Sequence, residues 1–165
     1  MLVMLVAMLI ALGTMEISMG VRVSSVSAAS DQHSFTGSYS GGVAFTGPTT
    51  VTFSGMGIAT SLGSSATQGH ADITGPDSSC PGGIANVNYE TLTAANGDSL
   101  TITSDDVACP ISPNVFHGTG HWVVVGGTSR FSGTAGQGHI DGHSDFNQGL
   151  FSFQWTGTLS APMED

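Results

Sequence analysis

From Ser34 onward apolar and polar residues alternate with a period of two, and glycine-rich turns interrupt the alternation at short intervals. That pattern belongs to pleated strands, whose successive side chains point to opposite faces, and almost nothing recurs at the 3.6-residue period of a helix. The clearest run is Leu150 to Leu159. Phe151, Phe153, Trp155, Gly157 and Leu159 share one face, and Ser152, Gln154, Thr156 and Thr158 share the other. The alternation predicts strands at roughly 34–40, 43–46 joined to 50–60 with a break at Pro48, 66–74, 87–95, 98–104, 115–125, 130–141 and 149–159. Asn96-Gly97 falls between two of these, and Asn-Gly is the preferred pair for a type I′ turn, so 87–95 and 98–104 are expected to form a hairpin. Short strands joined in order by tight turns predict an all-β fold. An antiparallel up-and-down β-barrel of about eight strands removes every exposed edge, and a β-sandwich is the alternative.

The first residues do not follow this pattern. Met1 to Leu12 is an unbroken apolar run, followed by a polar stretch that ends in Val26-Ser27-Ala28-Ala29, where small residues suit a signal peptidase. The run is shorter than the about 20 apolar residues of a membrane span, and Glu16 interrupts it. Residues 1–28 are therefore read as a signal peptide cleaved near Ala28, with an N-terminal helix packed on the domain as the alternative. Residues 29–165, about 137 of them, form a single barrel domain. The mature chain is expected to be secreted or held in the cell envelope, without an integral membrane span.

Lys and Arg total 2 against 12 Asp and Glu, for a formal net charge of −10. Arg22 lies in the export segment, which leaves Arg130 as the basic side chain of the mature domain. Nucleic acid and anionic membrane surfaces are both recognised through Lys and Arg, so neither is expected as a partner. A small molecule or a cell-envelope component fits the charge better. The chain has 2 cysteines. Cys80 stands in Ser79-Cys80-Pro81-Gly82-Gly83 and Cys109 in Ala108-Cys109-Pro110, both in turn-forming contexts outside the expected strands and without metal-type CxxC spacing. Up-and-down order brings both loops to one barrel end. A disulfide there is expected in an oxidising compartment, worth about 3–4 kcal/mol by loop entropy.

Val123 to Gly138, VVVGGTSRFSGTAGQG, with the following strand FSFQWTGTLS, resembles the Gly-Gly-Thr-Gly-x-Phe stretch of the allene oxide cyclase and dirigent-protein barrels and of many exported bacterial proteins. The resemblance covers roughly residues 115–160. It implies an eight-stranded antiparallel barrel, and only as an implication an isomerase or cyclase activity. Ser129 stands where the family's second turn glycine is usual, and none of the plant enzymes' catalytic residues has a match here.

Ala66-Thr67-Gln68-Gly69-His70-Ala71-Asp72 recurs as Ala135-Gly136-Gln137-Gly138-His139-Ile140-Asp141, and Phe53 and Trp122 keep the same separation. On a strand, Gln, His and Asp of Q-G-H-x-D share a face, so Gln68, His70, Gln137 and His139 are candidate ligand-binding residues. If Ala71, Ile73 and Ile140 instead mark the core face, His70, Asp72, His139 and Asp141 stand in water. The barrel end that carries the disulfide also gathers Asp72, Asp77, Asp105, Asp106, Asp141 and Asp145. Asp105, Asp106, Asp141, His143 and Asp145 are the candidate metal ligands, for calcium or zinc, although Asp141 to Gly149 lacks EF-hand spacing and its Asp, Gly, Ser and Asn favour a plain hairpin connection. No resident cofactor is required. His117 and His121 share a face, but four residues along a strand span about 13 Å, too far for one ion. Phe116 and Trp122 are expected to pack over Gly118 and Gly120. No nucleophile elbow and no phosphate-binding glycine loop occur, so no catalytic residue is assigned. Three functions remain in order: a non-enzymatic binding or structural module for a small apolar ligand, an isomerase or cyclase, and divalent-cation binding at the acidic end.

Overall fold

Alternate residues turn inward on every strand of a closed antiparallel barrel, seen in a computed structural model that describes residues 31–160. The strands follow in sequence order: β1 (Gln32–Phe45), β2 (Thr50–Ala59), β3 (Gly63–Asp77), β4 (Gly83–Ala94), β5 (Ser99–Ser112), β6 (Val115–Gly127), β7 (Gly136–Asp145) and β8 (Leu150–Ser160). The expected signal peptide lies outside the described residues. Closure is direct: Gly37 of β1 faces Ala59 on one side and Trp155 on the other, so β1 bonds to β2 and β8 alike. A sandwich would leave those edges open. Among the described residues no helix is long and apolar enough to cross a membrane.

Large rings fill the lumen because glycines on neighbouring strands make room for them. Trp122 lies over Gly138 and Gly157, where an added Cβ would sit 2.7 and 2.6 Å from its ring. Phe53 lies over Gly69 in the same way, at 2.8 Å. The internal repeat now has a structural sense, since Phe53 faces Gly69 across β2 and β3 as Trp122 faces Gly138 across β6 and β7. The expectation that Trp122 covers Gly118 and Gly120 of its own strand is corrected: a directly opposed cross-strand neighbour is closer than a residue two along the same strand.

Other differences have equally local causes. The expected break between 40 and 43 does not occur, because Gly41 serves close strand approach, its added Cβ falling 2.1 Å from the Ser54 carbonyl oxygen. The Asn96-Gly97 hairpin forms, but only Gly97 of that pair takes a positive φ, 92°. Its N–H donates to the Ala94 carbonyl at 2.9 Å, so the connection is longer than a two-residue I′ turn. A 3-10 turn at Ser129–Phe131 buries Phe131 and delays β7 to Gly136. Cys109 lies inside β5, which runs on to Ser112, and it bonds to Cys80 in the β3–β4 turn with Cα atoms 6.0 Å apart.

The disulfide marks one end of the barrel, the mouth, with the loops 46–49, 78–82, 113–114 and 146–149. The opposite end, the base, is plugged by Leu62, Leu100, Phe131 and Leu159, all buried. Arg130 pairs there with Asp98, Nε to Oδ2 at 3.2 Å.

Candidate functional site

Inward parity on β3, β4 and β5 falls on polar residues as well as apolar ones. Ser65, Thr67, Asn88, Glu90 and Ser104 are all buried, and with Tyr39 of β1 they give the lumen one polar wall. Tyr39 and Ser65 hydroxyls are 2.7 Å apart, and Ser65 Oγ donates to the Gly63 carbonyl at 3.2 Å. Thr67 Oγ1 donates to Glu90 Oε1. Asn88 Nδ2 donates to Ser104 Oγ at 3.0 Å and to Asp106 Oδ2. Burial pushes the Glu90 carboxyl up to about 8 against the Thr67 hydrogen bond.

Asp106 stands where this polar wall reaches the mouth. Burial raises its carboxyl to about 6; hydrogen bonds from Ser104 and Asn88 hold it down, the Asp105 carboxylate pushes it further up, and His121 lowers it. Its Oδ1 is buried without a hydrogen-bond partner and rests against Gly120, where an added Cβ would lie 2.0 Å away. The facing wall is aromatic. Phe146 packs on Phe45 at 4.7 Å and on Phe116 at 5.9 Å between ring centroids, and Phe53 meets Phe153 at 5.8 Å. Between the collar and Asp106 lies a cavity of about 100 Å³, lined also by Val43, Ile84 and Asn88 and bordered by Gly118. Nothing fills the space in front of Gly118, whose added Cβ would meet no atom within 4 Å.

The residues singled out from sequence stand elsewhere. Gln68, His70, Gln137 and His139 are on the outer face, because Thr67, Gly69, Gly138 and Ile140 take the inner positions of β3 and β7. His70 stacks on Tyr89 at 5.0 Å, and Asp72 accepts a hydrogen bond from Thr50 Oγ1 at 3.0 Å. The five candidate metal ligands do not converge. Asp105 and Asp106 are consecutive on β5 and point to opposite faces of the sheet. Asp145 is engaged as a turn cap, its Oδ1 accepting from the Asn147 N–H at 2.9 Å and its Oδ2 from Gln148 Nε2 at 2.7 Å. Asp141 accepts from His117 Nε2 at 2.9 Å on the outer face. His143 pairs with His117 across β6 and β7. Among the described residues no group of three or more His, Cys, Asp or Glu side chains gathers to hold a metal ion.

Sequence reasoning missed Asn88 and Glu90. Their signal is parity: Asn88, Glu90, Leu92 and Ala94 alternate along β4, so two polar residues share the face of two apolar ones. No family model matches the chain, and no curated protein matches it significantly.

Proposed function

We propose that the chain is an exported binding module that holds a small, largely apolar molecule in the barrel mouth, with a hydrogen-bond donor of that molecule engaging Asp106. The observation that carries this reading is a cavity that has an aromatic collar and is lined by Asp106, a carboxyl whose Oδ1 has no partner in the protein. Buried polar atoms are normally hydrogen-bonded, and a ligand O–H or N–H would complete the set. Apolar walls with a few fixed polar groups are the common build of small-molecule sites, where burial gives affinity and polarity gives orientation. The cavity is smaller than the roughly 300 Å³ at which sites for drug-sized molecules begin, so its occupant is a single ring or a short chain. The disulfide supports an oxidising compartment, and the resemblance to exported barrels of the allene oxide cyclase and dirigent type agrees with it.

Benzyl alcohol and toluene are the probes, the same ring with and without a donor. In calorimetric titration benzyl alcohol is expected to bind at least about tenfold more tightly, the value of one hydrogen bond to a charged group. Asp106→Asn should erase most of that preference. Failure of both probes to bind at millimolar concentration overturns the reading.

A second reading, an isomerase or cyclase acting on such a ligand, is favoured by the same carboxyl. A group raised to about 6 at a cavity wall is placed near working pH for proton transfer. On this reading Asp106→Asn abolishes turnover of a bound substrate while the aromatic collar still binds it.

A further inference from the structure

The outer face of β6 and β7 carries two imidazole pairs that the sequence does not reveal, because each pair is completed across the strands. His117 lies opposite His143 and His121 opposite His139, with Thr119 and Asp141 opposed between them. The ring centroids are 4.8 Å apart in the first pair and 4.3 Å in the second. Along β6 the two pairs are about 13 Å from one another, too far to share an ion.

We infer that each pair chelates one divalent transition-metal ion of the imidazole-preferring kind, copper(II) or zinc, with water completing the coordination. Two imidazoles bound to one ion at about 2.1 Å hold their ring centroids roughly 5 Å apart, and both pairs already stand near that separation. Imidazole is a ligand such ions select, whereas calcium and magnesium require oxygen. Two flanking features strengthen the assignment. His117 Nε2 donates to Asp141 Oδ2 at 2.9 Å, which fixes the tautomer and leaves Nδ1 with its lone pair for a metal; a carboxylate behind a histidine is the usual support of a metal ligand. His121 and His139 lie in a shallow groove that Asp105 and Asp141 also line, and Asp105 faces His121 across β5 and β6. The chain's formal net charge of −10 further raises the cation concentration at its surface. These sites are on the outer wall, and their occupation does not require the proposed ligand.

The test is calorimetric titration of the full chain with copper(II) and with zinc, alongside electron paramagnetic resonance of the copper-loaded protein. Two equivalents of either metal and nitrogen hyperfine structure from imidazole are expected. His121→Gln should remove one equivalent and His117→Gln the other, and the double variant should lose both, with an unchanged far-UV circular dichroism spectrum because the outer face does not build the core. Excess calcium should not displace the zinc. Unchanged stoichiometry in the folded double variant, or displacement by calcium, overturns the proposal. His143→Gln and His139→Gln give the same result from the opposite strand if the pairs are the ligands.

Discussion

Thr67 donates its hydroxyl to Glu90 across β3 and β4, inside the barrel and shut away from water. That single bond stabilises the ionised carboxylate, yet desolvation outweighs it and lifts the carboxyl from 4.5 to about 8. Between those values the folded chain keeps a proton that the unfolded chain has released. Stability from this group is therefore complete at low pH and is lost as pH rises through the window. At 1.36 kcal/mol per unit the loss by about pH 9 is on the order of 5 kcal/mol. Asp106, raised from 3.8 to about 6, adds the same sign of slope at lower pH, so the interval from about pH 6.5 to 9 isolates Glu90. Urea denaturation should show the wild-type midpoint falling across that interval and Glu90→Gln nearly flat. A wild-type midpoint that holds or rises there would show that Glu90 is not desolvated.

The glycines of the lumen divide into two kinds. At Gly138 an added Cβ would lie 2.0 Å from the Thr156 carbonyl oxygen and at Gly69 2.2 Å from that of Tyr89, and backbone cannot step aside as a side chain can. Gly138→Ala and Gly69→Ala are each expected to destabilise by about 2–3 kcal/mol, through overpacking against Trp122 and Phe53. Gly118→Ala enters open space at the mouth and should leave the thermal midpoint within about 2 °C. It should weaken benzyl alcohol binding all the same, since the methyl occupies part of the cavity. Melting curves of the three variants, with the titration repeated on the third, check both halves.

The barrel was legible because alternation alone distinguishes an inner from an outer face, and Phe151, Phe153, Trp155 and Leu159 made that face plain on β8. The interior chemistry was not. Glu90 and Asn88 are polar residues at core parity, and polarity in a sequence ordinarily marks solvent, so the histidines of the repeat drew attention instead. The repeat was sound as a pattern, but what it places inside is glycine and the aromatic opposite it. The two imidazole pairs depend on strand register, which a list of spacings along one strand cannot contain.

Cys80 and Cys109 tie the β3–β4 turn to β5 at the mouth across a sequence separation of 29. Cross-linking a loop of that size lowers the entropy of the unfolded chain and stabilises by about 3–4 kcal/mol. Cys80→Ala with Cys109→Ala should lower the urea midpoint accordingly, and a reducing agent should reproduce the effect in the wild type. The same variant bears on the cavity. Ile84 pairs with Ala108 immediately beside Cys109, so loosening this edge should also weaken binding in the mouth. A stability loss with unchanged binding would show that the bridge acts only through the unfolded chain.

Ser129 is one of the non-glycine residues held at positive φ, 49°. A side chain there crowds the following carbonyl, a cost of roughly 1–2 kcal/mol that glycine avoids, while glycine's extra freedom in the unfolded chain returns part of the gain. The turn is worth the strain because it seats Phe131 in the base: the Phe131 N–H donates to the Thr128 carbonyl and the Ser132 N–H to that of Ser129, each at 2.9 Å. Ser129→Gly is therefore expected to stabilise by about 0.5–1 kcal/mol, a rise of about 2–4 °C in thermal midpoint, and Ser129→Val to destabilise, since a β-branched residue tolerates this region least. Opposite signs for the two substitutions identify backbone strain as the cause. Equal losses would mean that the serine hydroxyl itself holds the turn.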